Sequence, residues 1–119
     1  MTKVYLVGEA GCEHDMLLGV YANRDKALAA FHDHRLQLLE DAKRGFEWTK
    51  EDAQQMLDKG VNFEGKPWDE DMIKHFKDKI DTGDDMYLEM IKKLSEEDPE
   101  KIDNYPHDTP YLREEEVIE

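Results

Sequence analysis

Two short runs rich in β-branched and aromatic residues open the chain, residues 3–8 (Lys-Val-Tyr-Leu-Val-Gly) and 16–21 (Met-Leu-Leu-Gly-Val-Tyr), separated by a polar, glycine-containing connection. Such runs predict strands, paired antiparallel. The spacing then becomes helical. Asn23 offers an N-cap, Asp25 sits in the first turn, and Ala27, Phe31, Leu38 and Ala42, flanked by Leu28 and Leu39, recur on one face. This predicts a helix over 24–44, stopped by Gly45.

Thr49-Lys-Glu-Asp52 resembles a capping box, and Ala53, Met56 and Leu57 predict a short second helix ended by Gly60. After the Gly65-Lys66-Pro67 turn, acids at 69–71 and lysines at 74, 77 and 79 complement a helix dipole, with Met72, Ile73, Phe76 and Ile80 as the buried face. Beyond Gly83, Asp84 or Asp85 caps another amphipathic helix marked by Met86, Met90 and Leu94, with Tyr87 and Ile91 beside them. Residues 96–110 hold three prolines and no periodicity, so they read as loop or at most one helical turn. Residues 111–118 read as a weak strand completing a three-stranded sheet, its glutamates favouring an edge. The expected fold is α+β: a small three-stranded antiparallel sheet packed by one long helix, with a helical insertion between strands 2 and 3, in a single domain over 1–119.

Charge changes this picture. The formal charge is −14, and residues 81–119 alone hold fourteen carboxylates against four basic side chains, a formal −10. Such a surface is repelled by phosphate backbones and anionic lipid, so direct nucleic-acid or membrane binding is disfavoured and a basic protein partner is favoured. The partner-binding candidates are Asp81, Asp84, Asp85, Glu89, Glu96, Glu97, Asp98 and Glu100. Trp48, Trp68, Tyr87, Tyr105 and Tyr111 are the aromatic anchor candidates, with Trp48 and Trp68 assigned first to the core. A lone cysteine and no leader-like or membrane-spanning apolar stretch point to a cytoplasmic protein.

The chain has no phosphate loop, dinucleotide fingerprint, H-E-x-x-H helix or G-x-S-x-G elbow, and Ser95 is its only serine. A non-enzymatic protein is expected, with no required cofactor. Zinc is the one cofactor with candidate ligands: Cys12 and His14 in the first connection, joined by His107 if the last strand runs antiparallel to the first. His32 and His34 point about 200° apart on a helix and do not converge, and His34 reads as a core-edge residue. His75 reads as a surface residue.

Lys3-Val-Tyr-Leu-Val, Leu18-Gly-Val-Tyr21 with Arg24-Asp-Lys-Ala27, and the closing Pro110-Tyr-Leu-Arg-Glu-Glu-Glu-Val-Ile resemble small α+β proteins encoded by phages and prophages of Gram-positive bacteria. The resemblance covers the two ends of the chain. By analogy with anti-CRISPR proteins, it implies an inhibitor in the host cytoplasm that binds a basic surface of a Cas9-type effector and blocks nucleic-acid loading. The alternative is a small zinc-binding regulatory or accessory protein.

Overall fold

The computed structural model describes residues 2–105 and 107–118. In chain order the elements are β1 (Thr2–Ala10), β2 (Asp15–Tyr21), α1 (Arg24–Lys59), α2 (Glu70–Thr82), α3 (Asp85–Leu94), a 3₁₀ turn (Pro99–Lys101) and β3 (Thr109–Val117). The sheet is antiparallel in the order β2-β1-β3, so the α+β expectation holds, and the last strand pairs with the first, the condition set for bringing His107 toward Cys12 and His14. Pairing places Ala10 opposite both Asp15 and Thr109, which gathers the first connection and the start of β3 at one end of the sheet.

The chain divides into two compact units, one made of Met1–Glu40 and Met90–Glu119, the other of Asp41–Glu89. In the first, one sheet face packs on the N-terminal half of α1. Val7, Ala27, Phe31 and Ile102 are buried together, with Tyr5, Tyr21, Leu28, Ala30 and Leu112 packed around them. Strand periodicity explains the choice: Tyr5 and Val7, their partners Tyr21 and Leu112, and no residue between them share the covered face. Leu6, its partner Val20, Gly8 and its partner Leu17 therefore lie on the opposite face. Gly8 permits a close crossing there, since a Cβ would run into the Tyr111 ring. Asn23 caps α1 as the sequence indicates, its side chain accepting from the Asp25 and Lys26 amides at 2.8 and 3.2 Å. Arg35, buried within α1, donates to the Leu94 carbonyl at 2.7 Å and so satisfies an orphan acceptor at the end of α3.

The second unit departs from expectation at its start. α1 does not stop at Gly45 but continues to Lys59, absorbing the expected second helix. Gly45 serves contact rather than termination, because a Cβ there would strike the Tyr87 ring. Thr49 does not cap a helix, as its hydroxyl donates to the Phe46 carbonyl at 2.7 Å. The helix ends at Gly60, whose φ of 76° is the left-handed conformation glycine tolerates. Asp69 caps α2 by accepting from the Met72 amide at 2.8 Å. On α2, Ile73, Phe76 and Ile80 are half-buried, whereas Met72 is exposed. Trp68 is half-buried, edge-on to Phe76 and bonded through Nε1 to the Met56 carbonyl at 2.8 Å. Trp48 is not in the core: it is 61% exposed on α1. Asp84 caps α3 through the Met86 amide and pairs with Lys79 at 3.0 Å, and these bonds, Lys79 first, hold its carboxyl below the usual range. Among the described residues, no helix is long and apolar enough to cross a membrane.

Candidate functional site

The two outer strands of the sheet present different chemistry. β2 carries Met16, Leu17, Leu18 and Val20 at 41, 54, 45 and 56% exposure, and its one charged residue is Asp15 at the loop end. β3 begins buried, at Thr109, Pro110 and Tyr111, and ends in the exposed run of Arg113 and Glu114 to Glu116. Leu18 is an extra residue in β2: Val7 pairs with Gly19 but Gly8 pairs with Leu17, so Leu18 sits outside the pairing as a bulge.

Beside Asp15 lies an open cleft of about 520 Å³. The hairpin loop lines one side with Cys12, Glu13 and Asp15, and Asp103, Tyr105 and Arg113 line the other. Arg113 lies 3.9 Å from the centre of the Tyr111 ring and pairs with Asp15 at 3.5 Å. Burial, reinforced by the negative charge of Asp15, raises the Tyr111 phenol above its usual range. The Asn104 amide donates to Thr109 Oγ1 at 2.6 Å, and Lys93 donates to the Tyr105 carbonyl at 2.7 Å. These bonds fix the loop that carries Asp103 and the 64% exposed Tyr105 ring.

Behind the cleft, the turn at residues 11–14, closed by the Gly11 amide on the His14 carbonyl at 2.8 Å, brings three potential ligands together. Glu9, His14 and Asp108 each place a ligand atom within 4.8 Å of the others. Glu9 Oε1 accepts from His34 Nε2 at 2.9 Å, and Glu9 Oε2 lies 2.8 Å from His14 Nε2. That second contact is close but not aligned as a hydrogen bond, and His14 Nε2 is shielded from solvent. Asp108 reaches the site because Gly11 has no side chain, as a Cβ there would meet its carboxylate.

Of the three sequence candidates for zinc, His14 belongs to this convergence, Cys12 is exposed on the cleft wall, and His107 is half-buried ahead of β3 and outside the three. Glu9, Asp108 and His34 were missed. The available signal was a lone acid inside an apolar strand and a histidine on the Phe31 and Leu38 stripe of α1. His75 is exposed on α2.

The acidic candidates do not form one cluster within one unit. Asp81, Asp84, Asp85 and Glu89 belong to the second unit, and Glu96, Glu97, Asp98 and Glu100 to the first. Asp84 and Asp98 act as caps, the latter accepting from the Glu100 amide at 3.0 Å. Counted by unit, the first holds sixteen carboxylates against eight Lys and Arg, a formal −8, and the second fourteen against eight, a formal −6. The charge is thus lopsided along the sequence but shared in the fold. No family model, curated protein or solved structure matches the chain.

Proposed function

We propose that the chain is a non-catalytic binding protein that takes a cationic, extended segment of a partner protein along the free edge of β2. The observation that supports this reading is β2 itself, an outer strand with four exposed large apolar side chains whose loop end opens into an acidic cleft. An outer strand offers unpaired main-chain donors and acceptors, and an added strand satisfies them while its side chains fill neighbouring pockets. The Glu13 carboxylate and the Tyr105 ring would receive a lysine or arginine of that segment, in competition with Arg113 and Lys93 for Asp15 and Asp103. Charge decides the occupant: a second copy of the chain would add another −14, whereas a basic protein is drawn in over distances of about 8 Å at physiological ionic strength.

A nucleic-acid-binding protein is the partner class with suitable cationic grooves, and inhibition of a Cas9-type effector is the narrowest form of this reading. Capture of a guide-free, purified Cas9-type effector tests that form, and capture of basic host proteins across a salt series tests the general one. The Leu17→Lys, Val20→Lys double variant should keep its circular dichroism spectrum and lose capture by on the order of 100-fold, since strand pairing and apolar contact go together. Undiminished capture by that variant overturns the reading.

A further inference from the structure

We infer that Glu9, His14 and Asp108 form a binding site for a first-row divalent cation of the zinc type, with His34 as a positioning residue behind Glu9. His14 also lines the cleft at the loop end of β2, but the site needs no partner on that strand.

The arrangement at His14 carries the argument. Its side chain is 38% exposed, but its Nε2 is withdrawn from water and stands 2.8 Å from Glu9 Oε2 in a contact not aligned as a hydrogen bond. A shielded ring nitrogen held only by a poorly aligned contact is under-satisfied. A cation between it and the facing carboxylate oxygen would satisfy both. Asp108 supplies the third ligand atom, all three lying within 4.8 Å of one another. Donors held about 2.0–2.2 Å from a shared ion stand roughly 3–4 Å apart, so a bound ion would part Glu9 Oε2 and His14 Nε2 from their 2.8 Å contact and draw in the exposed Asp108 carboxylate.

The other contacts fit the same reading. Glu9 Oε1 is engaged by His34 Nε2 at 2.9 Å, which orients the carboxylate and leaves Oε2 turned toward His14. Ligating carboxylates are commonly held this way by an outer hydrogen bond. The three ligands come from the end of β1, the turn before β2 and the residue before β3, so a bound ion would tie the hairpin to the third strand. One imidazole nitrogen among the ligands selects zinc-like ions over magnesium and calcium, which take oxygen ligands. Three protein ligands leave a position for water, as in open zinc sites.

Titration calorimetry with zinc chloride, on the full chain freed of metal by chelator and at physiological ionic strength, tests the site, with calcium and magnesium as comparators. One equivalent of zinc should bind, and His14→Ala and Asp108→Asn should each weaken it by at least about 100-fold while circular dichroism is unchanged. His34→Ala should weaken it by about 10-fold. Cys12→Ser should leave it intact. Absence of zinc binding, equal binding of calcium, retention of zinc by the His14 and Asp108 variants, or its loss in Cys12→Ser would each overturn the assignment.

Discussion

β2 and β3 flank the same central strand, yet one outer edge is apolar and the other acidic. β3 ends in three consecutive exposed glutamates, a charge density that discourages any further strand from adding there. β2 leaves Met16, Leu17, Leu18 and Val20 in solvent with no charge between Asp15 and Tyr21. In a chain with a charged share of 39%, a strand of this composition at an edge stands out. The contrast teaches that two outer strands of one sheet can differ sharply in charge, and the proposed docking along β2 rests on that difference.

The most drastic way to break the contrast is to detach the sheet from α1. Phe31 is fully buried on the covered face, and Phe31→Ala should cost about 3–5 kcal/mol in chemical denaturation, removing both edges together. Exchanging the chemistry of the acidic edge is gentler. Glu115→Thr with Glu116→Val should change stability by no more than about 0.5 kcal/mol, as expected for exposed sites, while chromatography shows a shift to larger species relative to the unaltered chain. If the elution volume does not move, the glutamates do not guard that edge.

The smallest effect separates the edges by pH. Burial and Asp15 raise the Tyr111 phenol in the fold above the 10.0 of an ordinary tyrosine, so the unfolded chain releases this proton first. Its contribution is intact below pH 10.0 and declines as pH rises through the folded value. Urea midpoints at about pH 9 and about pH 11 should differ more for the unaltered chain than for Tyr111→Phe. An equal change of midpoint in the two proteins would show that the fold does not favour the protonated Tyr111 phenol.

The sheet was legible because its strands are short runs bounded by turns, and because the glutamates of residues 114–116 mark an edge without disturbing the paired backbone. The fusion of two expected helices into α1 was not legible. Gly45 has a local preference for ending helices, but its lack of a side chain is used against Tyr87, more than forty residues away in sequence. Trp48 was similarly hidden, since helix periodicity cannot tell whether a neighbouring element will arrive to cover a ring. At the candidate metal site, His14 stood out as an isolated ligand type in a loop. Glu9 did not, because its role depends on His34 from α1 and Asp108 from the approach to β3, and only the folded sheet brings these together.

Leu18 gives β2 an unusual freedom over evolutionary time. Because it falls between the pairs Val7–Gly19 and Gly8–Leu17, replacing it alters no residue of any cross-strand pair, including Asp15 at its station beside Arg113. A lineage can therefore retune how adhesive this margin is, one codon at a time, without renegotiating the architecture beneath it.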